Sequence, residues 1–203
     1  MKKILLLPFL ALAVLSCTTP KTQEPMQNEV INAIMSRRSI RQYHQIPVGR
    51  DTIMQIMTCG INAANGQNKQ SWEVRIIDNP TTMQQVQDLM AAGNPALPAE
   101  MVRGCMRGAP VMTFIARDKG YDFSAYDCGL LAGNMITSAK ALGIGSVCLG
   151  GPVMFMKSPA AKPYLEKLAL PEGYQLQLAI GFGYPAENPE ARPRDPEKVK
   201  WVE

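Results

Sequence analysis

The chain carries five residues, Arg37-Arg38-Ser39-Ile40-Arg41, that place three guanidinium groups and a hydroxyl group within one short stretch. Guanidinium groups match phosphate oxygens with paired hydrogen bonds, and an adjacent hydroxyl can supply a further donor. These residue types therefore favour a site for a phosphorylated ligand. The alternative is a solvated basic run that complements the end of a helix dipole, which is the commoner role of such clusters.

Two further segments offer polar or backbone groups in place of apolar side chains. Residues 65–72, Asn-Gly-Gln-Asn-Lys-Gln-Ser-Trp, carry amide and hydroxyl groups that suit a polar ligand ring, although such residues also form ordinary turns. Gly150-Gly151-Pro152 follows a predicted strand, where the missing side chains would let a ligand approach main-chain N–H groups. Gly143-Ile144-Gly145-Ser146 precedes that strand, which is the reverse of the order in a dinucleotide-binding turn.

The composition excludes several classes of function. The single histidine, His44, argues against most zinc sites and against catalysis that pairs histidine with serine or cysteine, so we expect no metal and no catalytic side chain. The basic residues are dispersed except at 37–41 and 192–194, which does not indicate a nucleic-acid partner. The four cysteines beyond Cys17 form no CxxC pair and fit buried small side chains.

The N-terminus has the features of an export signal. Lys2-Lys3 precedes an apolar stretch that is too short to cross a bilayer, and residues 1–16 are therefore predicted to be a signal peptide. Val14-Leu15-Ser16-Cys17 resembles a bacterial lipobox, which implies lipid attachment at Cys17 and residues 17–26 as a linker. A plain secreted chain is the alternative. We expect a domain over residues 27–203, held to the cell envelope by its lipid alone, on the periplasmic or surface side.

Helices and strands alternate along the rest of the chain. Apolar periodicity predicts helices at 27–37, 50–62, 81–91 and 124–142, with Gly60 weakening the end of the second and Gly143 closing the fourth. Strands are predicted at 72–78, 111–117, 144–149 and 176–183, which indicates an α/β or α+β fold with about four core strands. The tail from Pro185 should hold no core element, although Val199–Val202 could form an edge strand or reach a partner chain.

The basic segments, the polar segment at residues 65–72 and the glycine pair occur along the chain in an order that resembles the nitroreductase family of FMN-dependent oxidoreductases. The resemblance covers about Val30 to Val202 and also includes Asp127-Cys128-Gly129 with Asn134, and Gly181-Phe182-Gly183-Tyr184-Pro185. It implies an α+β fold of three layers, with a central, mostly antiparallel sheet flanked by helices, in an intertwined homodimer. It also implies FMN contacts by the following residues: Arg37, Arg38, Ser39, Arg41, Asn65, Gly66, Gln67, Asn68, Gln70, Gly150, Gly151, Arg192 and Arg194.

The resemblance further implies how the FMN would be used. NAD(P)H would reduce the flavin, and an electron-poor acceptor of the nitroaromatic or quinone type would then take the electrons at the same flavin face. The loop at residues 65–72 would reach flavin bound mainly by the other subunit. Trp72, Met154, Phe155 and Met156 could line the acceptor pocket, although core positions are the alternative for them.

The region between Gly93 and Gly108 departs from the family's pattern. The resemblance implies an asparagine and a lysine or arginine there, with the cation near flavin N1 and O2. Asn94, Arg103 and Arg107 are the candidates, and Arg103 is preferred because a positive charge would favour reduced flavin. The expected export conflicts with a cytoplasmic donor such as NAD(P)H. A lipid-anchored flavin-binding or redox-partner module without NAD(P)H activity is therefore the alternative, and an enzyme that fragments flavin is a third. The acceptor, the donor, the membrane leaflet and the cysteine redox state stay open.

Overall fold

The computed structural model describes residues 28–202, in which seven α-helices surround a sheet of four strands. The helices are α1 (Glu29–Ser36), α2 (Arg50–Ile61), α3 (Pro80–Ala92), α4 (Ala99–Arg103), α5 (Ser124–Ala141), α6 (Gly151–Phe155) and α7 (Lys162–Lys167). The strands are β1 (Trp72–Ile77), β2 (Val111–Asp118), β3 (Gly145–Leu149) and β4 (Tyr174–Gly183). The predicted signal peptide, Cys17 and the linker up to residue 26 lie outside the described residues, and they stay predictions.

Local sequence explains where the longer helices begin and end. The Asn28 side chain accepts hydrogen bonds from the N–H groups of Val30 and Ile31 at the start of α1. Asn79 does the same for Thr82 at the start of α3, where Pro80 occupies the first helical position without losing a needed donor. Gly143 adopts a φ of +74° just beyond α5, a conformation that glycine reaches without a steric penalty.

The four strands form one antiparallel sheet in the order β1-β2-β4-β3. Along β2, Val111 and Ile115 face one side of the sheet, where they pack with apolar residues of α2 and α5. Met112 and Phe114 face the other side, where they pack with residues of α3, α4, α6 and α7. The sheet is therefore the middle of three layers, and the predicted α+β class is confirmed.

The predicted long elements are confirmed within a few residues, whereas three short helices, α4, α6 and α7, are absent from the prediction. Each has at most six residues, which is too short to show a helical period. Gly150-Gly151 accordingly lies at the start of α6 and not in an open loop. Gly60 is a buried residue of α2, where an added Cβ would lie 2.6 Å from Cγ of Met135 on α5, so it allows close packing of the two helices, and α2 ends one residue later at Ile61.

The tail beyond β4, residues 184–202, contributes no buried residue. Val199, Trp201 and Val202 belong to no strand and are 85%, 96% and 97% exposed. The predicted edge strand at Val199–Val202 is therefore absent, and contact with a partner chain stays a prediction. Among residues 28–202, the structure has no helix with the length and apolar character needed to cross a bilayer.

A second glycine position fixes how the chain closes at the end of β4. A Cβ on Gly183 would lie 2.7 Å from Cδ of Pro110 and 2.8 Å from Cδ1 of Tyr43. Both contacts are with ring atoms, which have little freedom to move away. The missing side chain at this position lets the segment around Tyr43 lie against the sheet.

Gly183→Ala should therefore lower the free energy of unfolding by about 1–3 kcal/mol, because the new methyl group overpacks a site lined by two rings. Gly104→Ala is the matched control, since its Cβ would have nothing within 4 Å and its φ is −65°. Urea denaturation of both variants measures the difference. A Gly183→Ala protein as stable as the control would show that the site has room for a side chain.

Candidate functional site

The segment from Ser39 to His44 is attached to the edge of the sheet by backbone hydrogen bonds. The Ile40 N–H donates to the Ser146 carbonyl at 3.0 Å, which places this segment beside β3. The His44 N–H donates to the Tyr184 carbonyl at 3.0 Å, and the Ala186 N–H donates to the Gln42 carbonyl at 2.9 Å. The buried Tyr43 hydroxyl donates to the Ile40 carbonyl at 2.6 Å. These bonds hold the neighbouring arginines in a fixed place.

The two basic segments of the sequence meet in one cleft of about 670 Å³. We call it the basic cleft, and it is lined by Ile34, Met35, Arg37, Arg38, Ser39, Arg41, Pro189, Glu190, Ala191, Arg192 and Arg194. All six residues that were predicted for the phosphate end thus line a single space. Arg41 and Arg192 are about 150 residues apart in the sequence, so the fold and not local spacing brings them together.

The guanidinium groups of the basic cleft have no carboxylate partner within residues 28–202. Arg38 donates to the carbonyls of Met35 and Arg37, each at 2.9 Å, and Arg41 donates to the carbonyl of Ser39 at 3.1 Å. Arg194 likewise donates to two carbonyls of its own segment. Each guanidinium has five N–H donors, so these contacts leave donors to spare. Five guanidinium groups line the cleft with one carboxylate, that of Glu190, and the excess positive charge favours a multiply charged anion there.

Glu187 follows β4, and its carboxylate binds backbone groups only. Its carboxylate accepts hydrogen bonds from the N–H groups of Arg41 and Gln42, the latter at 3.2 Å. It therefore links the segment that follows β4 to the end of the first basic segment. Glu187 is a positioning residue that the sequence did not reveal, because a single glutamate in a proline-rich tail carries no pattern.

Strand β3 connects the basic cleft with the glycine pair. Its first residues lie beside Ile40, and it ends at Leu149, so about 16 Å of extended chain separates Gly145 from Gly150. The bridge between Ser39 and Ser146 places the first basic segment alongside the start of this strand. The arrangement suits an elongated ligand with an anionic group at one end.

The polar segment at residues 65–71, which we call the amide loop, is held at the other end of α5. The buried Asp127 carboxylate accepts hydrogen bonds from the Gly66 N–H at 2.9 Å and from the Ser71 hydroxyl at 2.7 Å. Gln67, Asn68 and Gln70 have φ values of 54°, 53° and 47°. Residues other than glycine are uncommon in this region, and such residues concentrate at functional sites.

The amide loop and the basic cleft are far apart within one chain. The loop is bonded to Asp127 in the first turn of α5, whereas Arg37 and Arg38 share a small cavity with Lys140 in its last turn. Thirteen residues of helix separate these two positions, which corresponds to about 20 Å. One chain therefore does not bring Asn65, Gly66, Gln67, Asn68 and Gln70 together with the predicted phosphate-binding residues.

Arg103 is engaged in ion pairs away from the basic cleft. Its guanidinium contacts Asp88 at 2.9 Å and Glu100 at 3.1 Å. Its charge is thereby partly neutralised, and its role near a flavin stays a prediction. The amide of Asn94, an alternative candidate, donates to the Met90 and Phe155 carbonyls.

The residues suggested for an acceptor pocket are mostly core residues. Trp72 packs in the layer with α2 and α5, and Phe155 and Met156 pack on the opposite side of the sheet. Met154 alone among them is exposed. Within residues 28–202, no group of three or more histidine, cysteine or acidic side chains is arranged to hold a metal ion.

Asp127 is the second positioning residue that the structure reveals. The sequence shows an acidic residue near the start of the long helix, but its two hydrogen-bond partners are about 60 residues earlier in the chain. A charged residue in the first turn of a helix is common on electrostatic grounds alone. Its burial is therefore the signal that identifies it, and burial requires the fold.

Comparison with known proteins finds relatives that are nitroreductases or flavin oxidoreductases. The model of the nitroreductase family matches residues 34–184. The NADPH-flavin oxidoreductase of Vibrio harveyi is 30% identical over 182 residues, which cover 85% of this chain and 72% of that protein. The FMN-bound crystal structure of a nitroreductase from Desulfitobacterium hafniense DCB-2 superposes with a TM-score of 0.78 at 26% identity and covers 88% of this chain and 100% of that one. An FMN-dependent nitroreductase from Clostridium difficile R20291 gives a TM-score of 0.74 at 26% identity, with 86% and 99% of the two chains covered.

Asp127→Ala should release the amide loop, since it leaves the Gly66 N–H and the Ser71 hydroxyl without their buried acceptor. We expect a loss of about 1–3 kcal/mol in the free energy of unfolding and faster amide hydrogen exchange at residues 66–71. Asp122→Ala, at an exposed aspartate of the same region, is the control. Unchanged exchange in the loop of the Asp127 variant would show that other contacts hold it.

Proposed function

This chain belongs to the nitroreductase family, and we propose that it is an FMN-dependent oxidoreductase that takes electrons from NAD(P)H and passes them to an electron-poor acceptor of the nitroaromatic or quinone type. The observation that carries the proposal is the basic cleft, in which two distant basic segments gather around one space. The similarity to a NADPH-flavin oxidoreductase and to FMN-bound nitroreductases supports the cofactor and the donor.

The donors of the basic cleft fit the phosphate group of FMN. Arg37, Arg38, Arg41, Arg192 and Arg194 can bind its oxygens through charge-assisted hydrogen bonds, and Ser39 can add a hydroxyl donor. The neighbouring carboxylate of Glu187 is bonded to backbone N–H groups, so it does not compete for these guanidiniums. A phosphate would thus receive donors from both basic segments.

The direction of β3 then indicates where the other end of the cofactor would lie. With the phosphate in the basic cleft, the ring system would lie toward Gly150 and Gly151. A Cβ on Gly150 would have nothing within 4 Å, so the absent side chain leaves the main chain accessible there. Bound FMN supplies the redox chemistry, as the acceptor of two electrons from NAD(P)H and their donor to the second substrate. The protein's part is to bind and orient the cofactor and to limit the access of water. No nucleophile or general base is required from its side chains.

We further propose that the active form is a homodimer with two composite sites. A two-fold axis that crosses the middle of α5 makes the two copies of this helix antiparallel. The amide loop at the start of one α5 then faces the cofactor whose phosphate group lies in the basic cleft at the end of the other. This pairing would bring together in space the two halves of the site that a single chain keeps about 20 Å apart.

The exposed apolar residues support this dimer. Eight of the nineteen large apolar side chains that are exposed within residues 28–202 lie on α1, α2 and α5, and their exposure to water is costly in a monomer. Gly129 and Gly133 on α5 have open space where a Cβ would be, which allows a second helix to approach closely. Apart from Tyr126 near the start of α5, the exposed apolar side chains of these helices are Val30, Ile31, Ile34 and Met35 on α1, Met54 and Ile61 on α2, and Leu130 on α5.

A test of the donor separates this function from a flavin-binding module without NAD(P)H activity. The purified protein should be yellow with FMN, and anaerobic mixing with NADH or NADPH should bleach the flavin absorbance. A yellow protein that neither nucleotide bleaches would favour the redox-partner module. A colourless protein without affinity for FMN would contradict both.

The shared phosphate site is tested by two substitutions from the two basic segments. Arg41→Ala and Arg194→Ala should each weaken FMN binding by about 10- to 100-fold, because each removes charge-assisted hydrogen bonds to one phosphate. Arg50→Ala is the matched control, since Arg50 pairs with Asp78 and does not line the basic cleft. Fluorescence titration of the apoprotein with FMN measures the dissociation constants. Equal affinity for FMN in the parent and both variants would show that the phosphate group does not bind in this cleft.

A further inference from the structure

Three aromatic residues beside the amide loop form an exposed group that the cofactor site does not use. Tyr121 and Phe123 meet edge to face with ring centroids 5.7 Å apart, and Phe123 and Tyr126 are 6.2 Å apart with their planes at 44°. We call these three residues the aromatic cluster. Phe123 is 57% exposed and Tyr126 is 70% exposed, although large aromatic side chains usually gain free energy from burial.

A positive charge is fixed next to these rings. The Lys69 ammonium group lies 4.6 Å from the centroid of the Tyr121 ring, in a cation–π contact. Lys69 is exposed and has no carboxylate partner within residues 28–202. The surface therefore combines flat apolar faces with one ammonium group that can still pair with an anion.

The aromatic cluster is joined to the amide loop by close contacts and hydrogen bonds. The Tyr121 hydroxyl lies over Gly66, where a Cβ would come within 2.2 Å of it. The Asp118 N–H donates to the Ser71 carbonyl at 3.1 Å, and the Ser124 hydroxyl donates to the Asp118 carbonyl at 2.6 Å. Together with the Asp127 contacts, these bonds link the loop, the turn before α5 and the first turn of α5. A partner that is reached by the loop is therefore also reached by the aromatic rings.

We propose that the aromatic cluster and Lys69 of one chain recognise the electron acceptor at the FMN of the other chain, and that they select flat aromatic acceptors that carry a negatively charged group. This inference rests on the proposed function and its composite site. Ring faces favour a planar molecule by stacking, and the ammonium group favours a carboxylate at its edge. Trp72, Phe155 and Met156 are too deeply buried to contact an acceptor in this way.

The test uses the FMN-loaded homodimer in its oxidised state, with no reductant, so that binding is measured without turnover. 4-Nitrobenzoate is the charged probe and nitrobenzene is the uncharged one, and both are titrated by the change in the visible flavin spectrum. Phe123→Ala should raise the dissociation constant of both probes by about three- to tenfold. Phe123→Leu should act in the same direction, because it keeps an apolar side chain and removes the ring.

Lys69→Ala gives the second, independent readout. It should raise the dissociation constant of 4-nitrobenzoate by about three- to tenfold and leave that of nitrobenzene unchanged, because only the first probe carries a charge. The matched controls are Lys119→Ala, at an exposed lysine of the turn before α5, and Met101→Ala, at an exposed apolar residue of α4. Neither control should change the affinity for either probe. The FMN content of each variant reports whether it is folded.

The outcomes separate this inference from the function on which it depends. A protein that binds no FMN contradicts the proposed function and this inference with it. An FMN-loaded dimer whose Phe123 and Lys69 variants bind both probes as tightly as the parent overturns the inference alone. A Lys69 effect that is equal for the charged and uncharged probes also overturns it, since the charge would then play no part in selection.

Discussion

The candidate site depends on the attachment of residues 39–44 to the sheet edge at β3 and to the chain that follows β4. Hydrogen bonds from Ile40 and His44, and from Ala186 to the Gln42 carbonyl, make this segment an extension of the sheet. Glu187 adds a carboxylate that ties the tail to the same segment. Guanidinium groups repel one another, so the proximity of the five arginines is unfavourable unless the backbone framework holds their segments together. The framework holds them together, and an anion makes their proximity favourable.

Helix α5 imposes the second constraint because it sets the distance between the two halves of the site. Its first turn holds the amide loop through Asp127, and its last turn lies beside the basic cleft. A single chain therefore presents each half at an opposite end of the same rigid helix. In the proposed dimer, antiparallel packing of α5 would bring each amide loop to the site whose basic cleft belongs to the other copy. Each site would then be formed by both copies. Binding of the cofactor and association of the chains would then stabilise each other.

The sequence predicts the fold well where elements are long and their periods are clear. The four long helices and the four strands lie within a few residues of their predicted bounds, and Gly143 ends α5 as its conformational freedom suggests. The short helices α4, α6 and α7 could not be predicted, since five or six residues show no period. At the site, the two basic segments were identified from residue type and resemblance. The roles of Asp127 and Glu187 depend on contacts between distant segments, which only the folded chain shows. The aromatic cluster likewise could not be predicted from the sequence, because its rings come together only when the turn before α5 is folded.

The composite FMN site between two chains is tested most directly by native mass spectrometry of the protein purified in its yellow form. Two chains that carry two FMN molecules, with the cofactor lost when the dimer dissociates, are the expected result. Single chains that retain FMN, or a dimer that holds none, would contradict a site built from both copies.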